Sequence, residues 1–212
     1  MYGPISDLFP SSPVFEMYPL GFLTMTDYLE LRGLKVRIVN LALRMMNDPG
    51  FDVAKFLARL KTRAIGIDLH WLPHAHGSIE IAKLAKACHP QVSVILGGLS
   101  ATYFHLELIE LPQVDYVLRG DAIEPQLFSL LSRLSFGQAL DDVPNLTWRF
   151  ADEVLFNPPS PLPVTADYAD LKPERIMKMV LNYRDLQSVL PFNGWWQNPI
   201  TAVFTVKGCA HE

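Results

Sequence analysis

Short runs of aliphatic and β-branched residues alternate with helix-spaced apolar residues along the first 140 positions, and no other feature constrains the fold as much. The runs are Val36-Arg37-Ile38-Val39-Asn40-Leu41, Ala64-Ile65-Gly66-Ile67-Asp68-Leu69, Val92-Ser93-Val94-Ile95-Leu96 and Val114-Asp115-Tyr116-Val117-Leu118. Each is short and nearly continuous in its apolar character, as expected of strands buried on both faces. Between them, Val53, Phe56, Leu57 and Leu60 recur at helical spacing. Ile81, Leu84, Ala85 and Cys88 form a second set, for which Ser78 is the expected cap. A short helix is expected near 104–110, and Leu127, Leu130, Leu131 and Leu134 mark another. Upstream, Phe22, Met25 and Leu29 predict a helix closed by Gly33. Four strand–helix alternations with short connections predict an α/β fold: a doubly wound parallel sheet with helices on each side.

In such sheets ligands bind beyond the carboxyl ends of the strands. Here those loops are 40–44, 70–77, 97–103 and 120–124, which concentrate Gly and His.

The pattern changes after about residue 140. Pro144–Arg149 and Glu153–Phe156 read as a hairpin turning at Ala151-Asp152, followed by a proline-rich linker, Pro158–Pro163. Residues 174–190 are expected to be helical, and Ile200–Val206 a strand running into Gly208-Cys209. The first twenty residues, rich in Pro, Ser and aromatics, read as an irregular lead-in.

Composition narrows the function classes. Hydrophobic residues make up 50% of the 212-residue chain and charged ones 19%, enough for a sizeable core. A net charge of −4 offers no basic excess for nucleic acid. No apolar stretch is long enough for a membrane span, and no signal-peptide pattern opens the chain. Two cysteines, Cys88 and Cys209, make no disulfide framework, so a reducing cytoplasm is the expected compartment.

Several ordered segments resemble one family. "VILGGLSATYF" is similar to a strand ending in Gly-Gly, and "VDYVLRGDAIEPQLFSLL" to a strand followed by a Gly-x-x-x-Glu helix start. "VPNLTWRF" resembles a short strand after the domain, and "ITAVFTVKGCAHE" a first barrel strand leading to the first cysteine of Cys-x3-Cys-x2-Cys. Together they resemble cobalamin-dependent (B12-binding) radical S-adenosylmethionine (SAM) proteins. The resemblance implies a Rossmann-like cobalamin-binding domain at 1–140, a hairpin and linker at 141–198, and the start of a radical SAM domain at 199–212. It also implies a chain truncated at both ends, lacking the family's first strand and the remaining motif cysteines.

The implied cofactors are cobalamin in this chain, and a [4Fe–4S] cluster and SAM in the full-length protein, with Cys209 as a cluster ligand. The implied activity is methyl transfer, or a related radical C–C bond-forming or rearranging reaction, on an unknown small-molecule substrate. One cysteine cannot hold the cluster, so the chain alone is expected to be inactive. A stand-alone cobalamin-binding or sensing module is the alternative. A nucleotide-binding α/β enzyme is another, although no Gly-x-Gly-x-x-Gly follows any expected strand.

The candidate cofactor-binding residues are Asp68, His70, Trp71, Gly97, Gly98, Ser100, Gly120 and Glu124. Gly97 and Gly98 either let backbone approach the ligand or merely make a tight turn, and Ser100 is a candidate donor to the ligand. On the ligand reading, Gly98→Val blocks cobalamin and spares the fold. Asp68-Leu69-His70 matches the first half of Asp-x-His-x-x-Gly, in which histidine ligates cobalt and aspartate orients it. Leu72 and Pro73 interrupt the second half, so His70 is expected to touch the corrin without ligating cobalt. Trp71 either packs on the ring or caps the core. Gly120, Asp121 and Glu124 read as a pocket wall or as a helix start in which the two acids complement the dipole. His70, His74 and His76 invite a zinc reading, but no cysteine lies near them.

Overall fold

The computed structural model describes residues 20–151, 153–160, 173–190, 195–197 and 199. The linker beyond residue 160, the strand expected at Ile200–Val206, and Cys209 lie outside the described residues. The chain divides into two compact units: Asp52–Leu162 forms most of one, and Phe9–Phe51 with Pro163–Glu212 most of the other.

The larger unit is built on a five-stranded open sheet in the order β1-β2-β3-β4-β5. Strands β1 (Ala64–Asp68), β2 (Ser93–Gly97) and β3 (Tyr116–Leu118) are parallel, and β4 (Leu146–Phe150) and β5 (Glu153–Phe156) complete the sheet as an antiparallel hairpin. Ile65, Ile67, Val94, Leu96 and Val117 point to one face of the parallel part. Helices α4 (Ala75–Cys88), α5 (Leu99–Tyr103) and α6 (His105–Ile109) cover it, contributing Ala82, Ala85, Ala101, Leu108 and Ile109. Ile95, Tyr116, Leu118, Leu146 and Trp148 face the other way, against Leu127, Leu130, Leu131 and Leu134 of α7 (Glu124–Phe136). The period-2 alternation of strand side chains thus feeds two cores, one on each side of the sheet. This is the expected α/β fold with helices on both faces, in a mixed, mainly parallel form.

The hairpin is anchored by long-range polar bonds. Arg149 Nη2 donates to Val114 O at 2.9 Å and Nη1 to Leu111 O at 3.1 Å, with a further bond to Ile109 O. It thereby caps the carbonyls around the end of α6. Buried Asn157 donates to Leu140 O and Val143 O at 2.7 and 2.8 Å. Helix α3 (Val53–Ala58) opens this unit, capped by Asp52, whose carboxylate accepts from Lys55 N at 2.8 Å.

Some sequence expectations are corrected here. Val36–Leu41 is not a strand: residues 34–40 carry no regular structure, and α2 (Leu41–Asn47) begins at its end. Asn40 Oδ1 accepts from Leu43 N at 3.0 Å, so this residue stops extension by starting a helix. Ser78 is no cap either. α4 starts three residues earlier, and Ser78 Oγ donates to Asp68 O at 2.8 Å. The buried face of α4 is therefore Gly77, Ser78, Ala82 and Ala85. Gly33 does close its helix, α1 (Leu20–Glu30), at φ +85°.

In the smaller unit, α8 (Pro173–Tyr183) leads to Asp185, on which two arginines converge. Arg44 and Arg37 reach its Oδ2 at 2.5 and 3.2 Å, and Ser188 Oγ donates to the same oxygen at 2.9 Å. Burial alone would push this carboxyl up, but the hydrogen bonds from Arg44, Ser188 and Arg37 outweigh it and hold the group below the usual carboxylate range. A depressed carboxylate stabilises the fold above its unfolded pKa, and the contribution is lost as pH falls through the folded value. Asp185→Asn is expected to cost roughly 2 kcal/mol at neutral pH, less than for a fully sequestered pair because water reaches both guanidiniums. Urea denaturation as a function of pH should show this variant losing less stability than wild type below about pH 4.

Candidate functional site

The carboxyl ends of β1, β2 and β3 lie side by side, and three loops leave from them. The first runs Leu69-His70-Trp71 into a 3-10 turn at Leu72–His74 and then α4. The second is the Gly97-Gly98 turn into α5, and the third runs from Arg119 to Ile123 before α7.

Backbone and hydroxyl bonds join these loops. Leu69 N donates to Gly97 O at 2.7 Å, and Ala101 N to Leu69 O at 3.1 Å. Ser100 is only 8% exposed, and both its N and its Oγ donate to His70 O, at 3.1 and 2.9 Å. A hydroxyl has one hydrogen to give. The expectation that Ser100 donates to a ligand is therefore replaced: it fastens the first loop to the second. Thr102, which the sequence reading did not single out, donates from Oγ1 to Gly98 O at 3.0 Å and accepts from Gly120 N at 2.8 Å.

Gly98 has φ +106°, and a Cβ there would sit 2.8 Å from Leu69 C, His70 N and Asp68 Oδ1. Its missing side chain makes room for the chain itself. The expectation that Gly98→Val spares the fold is thereby corrected. Gly97 is different: a Cβ there would meet only Ile123 Cδ1 and Leu118 O, both at 3.7 Å. Gly120 has φ +96°, with its would-be Cβ 3.0 Å from Asn145 Nδ2.

Asn145 binds Arg119 on both sides. Its Nδ2 donates to Arg119 O at 2.9 Å, and its carbonyl accepts Arg119 N at 2.9 Å. The Arg119 guanidinium donates to Asn145 O and Asn157 O. Nearby on α6, His105 Nδ1 lies 2.9 Å from Thr147 Oγ1. Burial, reinforced by the Arg119 charge, holds this imidazole below its usual value.

Large apolar side chains are exposed on these loops. Trp71 is 57% exposed and Leu72 55% on the first loop, and Leu99 is 48% and Tyr103 76% exposed at the start and end of α5. More than half of the Trp71 surface thus lies outside the core. His70 is also exposed, its ring edge-on to Trp71 at 4.9 Å between centroids. The third loop divides: Asp121 is exposed, whereas Glu124, first residue of α7, is 2% exposed. No side chain caps α7 at its N-cap, Ile123. Asp68, His70, Trp71, Gly97, Gly98, Ser100, Gly120 and Glu124 therefore all lie on or beside these three loops. Among the described residues, no three His, Cys, Asp or Glu side chains converge to hold a metal ion. None of the described helices is long and apolar enough to cross a membrane.

A B12 binding domain model matches residues 11–126. Eight chains of solved structures match, among them the radical S-adenosylmethionine methyltransferase TsrM from Kitasatospora setae in two states. With tryptophan substrate and the SAM analogue aza-SAM bound, that protein superposes with a TM-score of 0.59 at 19% identity, over 70% of this chain. With cobalamin and a [4Fe–4S] cluster bound, the TM-score and identity are the same, over 74% of this chain. In both cases this chain spans 28% of the larger protein. No curated protein matches.

Proposed function

Because this chain belongs to the B12-binding domain family, we propose that its three strand-end loops hold cobalamin and that the chain is the cofactor-binding part of a radical SAM enzyme. The observation that carries the first half is the exposed apolar group Trp71, Leu72, Leu99 and Tyr103 at the carboxyl edge of β1 and β2. Exposed apolar side chains on neighbouring loops suit a large, mostly apolar ligand, and cobalamin is a large, mostly apolar disc with a nucleotide tail. These four side chains would take the disc. The tail would enter beside the Gly97 and Gly120 turns. Asp68 and Glu124 would line the same edge. When bound, cobalamin supplies a cobalt centre able to carry a methyl group. The chain's own residues bind and orient it and keep water from the covered ring face.

His70 would touch the ring without ligating cobalt. The support is the interrupted motif, with Pro73 at the glycine position, and the engagement of the His70 carbonyl by Ser100. In His70→Ala, cobalamin binding is expected to persist. Electron paramagnetic resonance of the Co(II) form should show no nitrogen superhyperfine splitting in either protein. Splitting in wild type that disappears in His70→Ala would make His70 the ligand.

For the second half, Cys209 would be the first of three cluster cysteines, and methyl transfer or a related radical C–C bond-forming or rearranging reaction the activity of the longer protein. The support is the tail sequence together with the fold shared with TsrM. A protein extended through the two further cysteines and reconstituted anaerobically with iron and sulfide is expected to be brown and to cleave SAM. A colourless product from that reconstitution would leave a cobalamin-binding module alone.

A further inference from the structure

Gly120, at φ +96°, gives the third loop a glycine's backbone freedom. Thr102 restrains it. Thr102 Oγ1 accepts from Gly120 N at 2.8 Å while donating to Gly98 O at 3.0 Å, so a single hydroxyl spans the two turns. Both of its bonds go to main chain, which cannot swing aside as a side chain would. On the far side Asn145 holds Arg119 through N–H and C=O and stands 3.0 Å from where a Gly120 Cβ would be. Gly120 is thus fixed from two directions, and a Cβ at Gly97 would stand 3.7 Å from Leu118 O and Ile123 Cδ1, so the two turns lie close together there.

We propose that Thr102 is a positioning residue that sets the separation of the Gly97-Gly98 and Arg119-Gly120 turns, and so the width of the slot between the ends of β2 and β3. The inference rests on the cobalamin reading, since the slot is the place assigned to the cofactor's tail. Valine has nearly the shape of threonine but neither donates nor accepts. Without the hydroxyl, the Gly120 amide loses its acceptor and the turn drifts toward or away from Gly98.

The test compares Thr102→Val and Thr102→Ser with wild type, measuring hydroxocobalamin affinity by equilibrium dialysis and amide exchange at Gly120 by NMR. Thr102→Val is expected to bind about tenfold more weakly, with faster exchange at Gly120, and Thr102→Ser to stay within about twofold of wild type on both. A purely structural role would lower the melting temperature of Thr102→Val but leave the affinity of its folded form unchanged, and that result overturns the proposal. If Thr102→Val does not fold, wild type and Thr102→Ser decide: slow exchange at Gly120 in wild type together with retained affinity in Thr102→Ser supports the bridge, and wild-type exchange at Gly120 as fast as in open loops contradicts it. Failure of wild type to bind hydroxocobalamin would overturn the cofactor reading and this inference with it. Wild-type binding matched by Thr102→Val overturns this inference alone.

Discussion

Gly98→Val is expected to remove about 4 kcal/mol or more of stability, a large share of what a domain of this size possesses. Two costs add. A β-branched side chain at φ +106° is strained in any surroundings. In addition, its Cβ would lie 2.8 Å from Leu69 C and His70 N, main-chain atoms that cannot yield without displacing the first loop. Gly137 separates the two costs. It also has positive φ, at +62°, but nothing lies within 4 Å of a Cβ built there. Gly137→Ala should therefore cost only about 1 kcal/mol. In thermal denaturation Gly98→Val is expected to lose its cooperative transition while Gly137→Ala keeps it. Equal losses would mean that close approach at Gly98 contributes nothing.

The opposite outcome is expected for the double substitution Trp71→Ala/Leu99→Ala. Both side chains are about half exposed and stand on neighbouring loops linked by the His70–Ser100 bonds. Exposed side chains contribute little to folding, so the melting temperature should move by no more than a few degrees. Both would be covered by a bound corrin, and removing them forfeits about 3 kcal/mol of apolar burial. Cobalamin affinity should then fall about a hundredfold. Equilibrium dialysis against hydroxocobalamin measures this directly. An unchanged affinity would take the exposed apolar surface out of the site.

The parts of this fold that could be read from sequence are those whose signal is local and repeated. Continuous apolar runs announce β1, β2 and β3, because a strand between two helix layers has no polar face to interrupt it. The leucines of α7 and the turn at Ala151 likewise carry their own period and punctuation. Val36–Leu41 has the same composition, yet it forms no strand. Propensity needs a ladder partner, and here Arg37 is held by Asp185 while Asn40 caps a helix. The site was legible only as a set of loops. What individual residues do there depends on backbone brought in from far along the chain. Ser100 meets a carbonyl 30 positions away, Thr102 an amide 18 away, and Asn145 a carbonyl 26 away. A glycine at a strand end signals close approach, but the sequence does not say to what. At Gly98 the neighbour is the chain's own first loop.

Binding of cobalamin by the three strand-end loops can be measured by titrating the 212-residue chain with hydroxocobalamin and following it by gel filtration. Corrinoid absorbance is expected to co-elute with the protein and to saturate at one cobalamin per chain, and Trp71→Ala/Leu99→Ala to elute largely free of cofactor at the same concentrations. Folded wild type that retains no more corrinoid than this variant would rule out cobalamin binding at these loops.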